Sequence, residues 1–137
     1  MIRSYRDLLV WQKAVDLAIE CYRVSRTLPK SEMYGLASQV QRAAVSIAAN
    51  IAEGHGREHL GDYLHHLSTA NGSLMELETH LLIATRLTYL SSQEMASLLI
   101  RTSEIGRMLN GLVRRLNERN LAKSKVPDRT RHPTPDT

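Results

Sequence analysis

The stretch DLLVWQKAVDLAIECYRVSR, residues 7–26, decides the fold. Its apolar residues recur at intervals of three and four, the repeat of an α-helix and not the alternation of a strand. Leu8, Trp11, Val15, Ala18, Ile19 and Tyr22 fall on one side, while Val10, Ala14, Leu17, Cys21, Val24 and then Leu28 form a second stripe. A helix on the surface of a monomer needs one apolar stripe, so two imply burial on two sides. Either the helix is central in its own bundle, or copies of the chain share it. In the shared arrangement the interface falls on Val10, Leu17 and Val24.

Three more helical patterns follow. Pro29 ends the first, because proline lacks the amide hydrogen and clashes with the preceding turn. Ser31 and Glu32 can start a fresh turn, with a bend at Gly35. The second helix is predicted over 36–53, with Leu36, Val40, Ala43, Ile47 and Ile51 as its seam. Ala43, Ala44, Ser46, Ala48 and Ala49 make it small-sided, so a neighbour can approach closely. Gly54 and Gly56 are expected to stop it in the left-handed conformation of a helix C-terminus. The third is predicted over 60–89, interrupted at Gly72, where a close helix crossing or a mild kink is expected. Ser91 and Glu94 have capping-box spacing and open a fourth helix that carries Met95, Leu98, Leu99, Ile105, Leu109, Leu112 and Leu116 inward. Joined by short connections, such helices pack as an all-α, antiparallel, up-down-up-down four-helix bundle. The domain is expected over residues 1–120. Residues 121–137, polar and holding Pro127, Pro133 and Pro135, cannot bury enough apolar surface to order themselves and read as a disordered tail.

Composition fits this reading. The chain of 137 residues is 42% hydrophobic but only 4% aromatic, with no Phe, an aliphatic core suited to packed helices. Cys21 is the single cysteine, which excludes an intramolecular disulfide and a Cys-based zinc site. No run approaches the ~20 apolar residues of a membrane helix. The start is no signal peptide, and a cytoplasmic protein is expected.

The residues offer little chemistry. There is no nucleophile elbow, P-loop or dinucleotide fingerprint. No arginine is followed four to six residues later by histidine, as helical ribonucleases of the HEPN type require. Nor are acids clustered for magnesium: Glu76 and Glu78 point to different sides of their helix. His55, His59, His65 and His66 crowd one region, but the glycines at 54 and 56 break the helix that would align the first two. A di-iron bundle needs paired Glu-x-x-His motifs, and Glu76 and His80 are four apart with no second copy. No catalytic, cofactor or metal residue is therefore assigned, and no enzyme is expected.

Charge suggests binding. The net charge is +4, and two of the excess positives come from the tail, where Lys123, Lys125, Arg129 and Arg131 outnumber Asp128 and Asp136. Arg101, Arg115 and Arg119 fall near one face of the fourth helix, beside Arg107 and Arg114, and lead into Lys123 and Lys125. Arginine is the preferred phosphate fork, and a basic stripe is how nucleic acid is gripped. Glu104 and Glu118 interleave, as on an ordinary solvated face. The candidate nucleic-acid contacts are Arg101, Arg114, Arg115, Arg119, Lys123 and Lys125.

The run Arg42-Ala43-Ala44-Val45-Ser46-Ile47, followed by Asn50-Ile51-Ala52-Glu53-Gly54-His55-Gly56-Arg57, resembles the bacterial family of 23S rRNA-intervening-sequence proteins. Val10 to Ala14, Leu28 to Glu32, Tyr34-Gly35-Leu36 and the segment from Ala70 to Thr79 support the likeness in the right order. The resemblance implies an antiparallel four-helix bundle assembling as a homopentamer. A distant branch is similar to the accessory protein of diversity-generating retroelements, a basic pentamer that binds nucleic acid and a reverse transcriptase. Many relatives have proline where Ala48 stands and a capping hydroxyl where His59 stands, so the third helix is expected to start late here. Asn50, Glu53 and Arg57 are expected to form a polar cluster at the corner of helices two and three, by capping and ion pairing or by ligand binding. The expected function is a non-enzymatic, homo-oligomeric bundle that binds RNA or a ribonucleoprotein. The alternative is a scaffold that binds only other proteins.

Overall fold

A computed structural model describes residues 2–124. Four α-helices run through them: α1 (Leu9–Ser25), α2 (Leu36–His55), α3 (Leu60–Arg86) and α4 (Ser92–Ser124), with no strand among the described residues. Each helix packs on two others, α1 on α2, α2 on α3, α3 on α4 and α4 on α1, with no diagonal pair. That closed square is the up-down-up-down bundle the periodicity predicts. α4 continues four residues past the boundary expected at 120. The remaining tail, with Lys125, lies outside the described residues.

The core is aliphatic. Leu17, Ile47, Ile51, Leu67, Leu77, Leu81, Ile105 and Leu109 are fully buried. Cys21 lies among them, and burial pushes its thiol up to about 12. It is a small core residue with no thiolate chemistry at neutral pH.

One expectation is corrected at this level. Val10 is 5% and Leu17 0% exposed, and Val24 is half-buried against the same core. The stripe assigned to a contact between copies is instead α1's own core face, used up inside one chain. The stripe left over is the other one: Ile19 is 47% and Tyr22 39% exposed. α1 does carry more apolar surface than the bundle hides, on the opposite side from that expected. Periodicity finds two stripes but cannot say which one the neighbouring helices will cover.

The helix ends depart from expectation for local reasons. Residues Tyr5–Asp7 form a 3-10 turn closed by a capping box between Ser4 and Asp7, so α1 begins at Leu9. α1 ends at Ser25, before Pro29, where the Ser25 hydroxyl donates to the Tyr22 carbonyl at 2.8 Å and accepts from Gln41 Nε2 at 2.8 Å. No glycine takes a positive φ, so Gly54 and Gly56 do not act as left-handed caps. α2 passes straight through Gly54, whose role is spatial. A Cβ there would lie 2.7 Å from His66 Cβ and 3.1 Å from Tyr63 Cδ1, so only glycine lets the end of α2 meet the start of α3. Gly72 is the reverse case: a Cβ would meet nothing within 4 Å, and α3 runs unbroken through it, so neither crossing nor helix break occurs there. α3 starts at Leu60 directly after His59 despite lacking a side-chain cap, so the late start does not occur. It ends three residues early. Thr88 takes φ 64°, its amide donates to Thr85 O at 3.0 Å and that of Tyr89 to Ala84 O at 2.9 Å, a Schellman closure with threonine where glycine is usual. A β-branched residue in that region costs about 1–3 kcal/mol. The Ser91–Glu94 capping box forms as expected, with bonds of 3.1 and 3.0 Å.

Candidate functional site

The α2–α3 corner holds the expected Asn50, Glu53 and Arg57, but not as one mutual cluster. Glu53 and Arg57 pair along α2 at 3.6 Å. Asn50 reaches them only through His66 of α3, whose Nδ1 is 3.1 Å from Asn50 Oδ1 and 3.9 Å from Glu53 Oε2. Asn50 Nδ2 donates to the Ser46 carbonyl at 2.8 Å and to Ser46 Oγ at 3.1 Å. That orientation leaves Asn50 Oδ1 as the acceptor for His66 Nδ1–H. Ser46 Oγ then meets Ser73 Oγ at 2.8 Å. The ladder Ser73–Ser46–Asn50–His66–Glu53–Arg57 runs along the seam and satisfies polar groups where the two helices come too close for bulky side chains. Its outer end, the Glu53–Arg57 pair, is exposed and worth little. Sequence reading missed Ser46, Ser73 and His66 as members. The antiparallel register that joins them becomes visible only when α2 and α3 are laid side by side.

The histidines do not converge on one another as ligands. The His55 ring packs edge-on against Tyr63 at 5.8 Å, while His59 and His65 are exposed. Among the described residues no three His, Cys, Asp or Glu side chains come together as a metal-ligand set. Burial raises the Tyr63 phenol, and Arg119 on α4 is close enough to oppose part of that rise.

The outward face of α4 is cationic. Arg101, Arg107, Arg114, Arg115, Arg119 and Lys123 are all exposed, and among the described residues none pairs with a carboxylate within 4 Å. Glu104, expected to interleave with them, is engaged by Lys13 of α1 at 2.8 Å. The face is not one stripe. Arg107, Arg114 and Arg115 border a groove of about 520 Å³ beside the N-terminal turn, whereas Arg101, Arg119 and Lys123 do not line it. Arg107, left out of the expected contacts, belongs with Arg114 and Arg115.

The second outward feature is apolar. α1 and α2 leave between them an open groove of about 650 Å³, lined by Trp11, Val15, Ala18, Ile19, Tyr22, Val45, Ala48 and Ala49 and rimmed by Arg23 and Arg26. Trp11 is held at one end by the Tyr5 ring, edge-on at 5.1 Å. The groove exists because large residues on α1 face alanines on α2. Among the described residues no helix is long and apolar enough to cross a membrane.

The family model of the 23S rRNA-intervening sequence protein matches residues 6–111. A crystal structure of a protein of unknown function from the S23 ribosomal protein family of Bacteroides thetaiotaomicron is similar, with a TM-score of 0.72 and 23% identity. The likeness covers 77% of this chain and 98% of that one, and it bears on the fold. Among curated proteins no match is found.

Proposed function

The chain belongs to the 23S rRNA-intervening sequence protein family, and from that premise we propose that it is a non-enzymatic, cytoplasmic protein that assembles with copies of itself and binds RNA or a ribonucleoprotein. The resemblance to the family supports a pentamer as the form of that assembly. The observation that carries the binding reading is the α4 face, where six exposed cations have no carboxylate partner among the described residues. Cations left free of internal partners can each neutralise a phosphate and release its counterion, the main source of affinity for nucleic acid. Assembly would repeat the face and multiply a modest affinity through avidity. Arg101, Arg114, Arg115, Arg119 and Lys123 are the contacts, with Arg107 added.

The second reading, a scaffold that binds only proteins, draws on the apolar α1–α2 groove, whose wall is aliphatic and aromatic, with cations only at its rim. RNA binding titrated with salt separates the two. The proposal expects affinity to fall linearly on logarithmic axes, and expects Arg114→Gln, Arg115→Gln and Arg119→Gln together to flatten the slope by about 2, at ~0.7 for each single-strand phosphate contact. Absence of binding at low salt would remove the RNA reading and leave the scaffold.

A further inference from the structure

We infer that the groove between the N-terminal turn and α4 is a subsite for an unstacked base of single-stranded RNA, with the flanking phosphates held by Arg107, Arg114 and Arg115. This rests on the RNA-binding reading of α4 and narrows it to a substrate class.

The groove holds about 520 Å³, within the ~300–1,000 Å³ of ordinary small-ligand sites. Its floor is aliphatic, from Leu8, Leu9 and Val10 at the start of α1 and from Met108 and Leu112 on α4. Its cationic groups are the three guanidiniums, against a single carboxylate, Asp7. That carboxylate is already committed: Oδ2 accepts from the amides of Arg3 at 3.0 Å and Ser4 at 3.2 Å. An apolar floor under three cations matches a ligand that is flat and weakly polar in the middle and anionic at its edges. A nucleotide in a splayed strand has that character.

Gly111 supplies a second observation. It is buried on the groove side of α4, with the tip of the Arg115 side chain beside it. A Cβ at 111 would come 3.2 Å from Arg115 Nη1, so the guanidinium lies along the groove wall and a methyl there would shift its tip by a few tenths of an ångström. Glycine in a helix interior costs about 1 kcal/mol against alanine. No other neighbouring atom lies within 4 Å of that position to account for it. A guanidinium lying beside an apolar floor can stack on a base face as well as fork a phosphate.

Duplex RNA does not use such a site. Its bases stay stacked inside an A-form helix that presents phosphates and 2′-hydroxyls, and nothing it exposes would cover the apolar floor. A single strand can turn one base into the groove while its backbone follows the arginines.

The test is fluorescence anisotropy on the full chain at one fixed salt concentration. The probes are a labelled single-stranded oligouridylate, the same strand annealed to oligoadenylate, and a single strand with abasic riboses. The expected result is single-strand binding about tenfold tighter than duplex, a margin the abasic strand loses. Leu9→Ser should weaken single-strand binding about fivefold and leave duplex binding unchanged. Leu9 is 55% exposed, so its variant keeps the fold, and the abasic strand tests the same subsite with no substitution at all. Equal affinity for single strand and duplex, or an abasic strand that binds as well as the intact one, overturns the base subsite while RNA binding itself stands. No binding to any of the three overturns both readings, and an acidic peptide binding the same groove in their place would name a different partner class.

Discussion

The two edges of α2 are built from similar small residues and reach opposite ends. Toward α3, Ser46, Asn50 and Gly54 meet Ser73, His66 and Tyr63, and the seam closes with hydrogen bonds and backbone-level contact. Toward the outer edge of α1, Val45, Ala48 and Ala49 meet Trp11, Ile19 and Tyr22, and a groove stays open. Small side chains close a seam only when the facing helix offers small or polar groups at matching heights. Facing large apolar residues that lean outward, the same alanines leave apolar surface in water. Exposed apolar area of this kind costs about 25 cal/mol for each Å², so a surface that covers it is favoured.

The comparison breaks first on α1. Leu17 and Ile19 are two residues apart, one at 0% and the other at 47% exposure. If the inner stripe is core, Leu17→Ala leaves a cavity in the aliphatic core and costs about 2–5 kcal/mol in a urea titration. A loss below about 1 kcal/mol would mean that the two stripes of α1 are interchangeable and that the contrast between closed and open faces is misplaced.

The closed seam is sharpened at Gly54. Gly54→Ala puts a methyl 2.7 Å from His66 Cβ, an atom tied to the α3 backbone and unable to swing away. Overpacking of this kind costs about 1–3 kcal/mol, and the better helix propensity of alanine returns about 1 of it. The thermal midpoint should therefore fall. Gly72→Ala, with open space around it, should raise the midpoint instead, and the opposite signs of two glycine-to-alanine changes would locate the close approach on one face of α3.

Much of this was legible beforehand. The 3.6-residue period gave the helix count and the order, and Ser91 with Glu94 gave the start of α4, because both signals are local. The end of α3 was not legible. Thr88 in a left-handed conformation contradicts the usual glycine rule, and the turn is closed by the amides of Thr88, Tyr89 and Leu90 bonding back to Thr85 and Ala84. The glycines misled for a related reason: Gly54 makes room for Tyr63 and His66 on the next helix, and local propensity cannot register that. The arginines were found as a set but not as a surface. Whether Arg107 groups with Arg114 depends on the N-terminal turn beside α4, which sequence spacing along one helix cannot supply. The two stripes of α1 were both found, yet their assignment inverted, since either could have faced the core.

The smallest expected change in stability decides most about the open edge. Ile19→Glu, and separately Tyr22→Glu, put a charge on positions that are already exposed, so the folding free energy of a single chain should move by no more than about 0.5 kcal/mol. Mass in solution should move far more. If copies of the chain cover the α1–α2 groove, the parent protein sediments as a multiple of 15.5 kDa, and either charge, desolvated inside that contact, drives it toward the single-chain mass. Leu17→Ala at concentrations where it stays folded should leave the mass unchanged, because that side chain faces inward. A parent protein that sediments at 15.5 kDa would sink self-assembly through this groove. A multimer indifferent to both charges would move the contact to another face, with Met75, Leu82 and Ile83 of α3 the next exposed apolar residues to change.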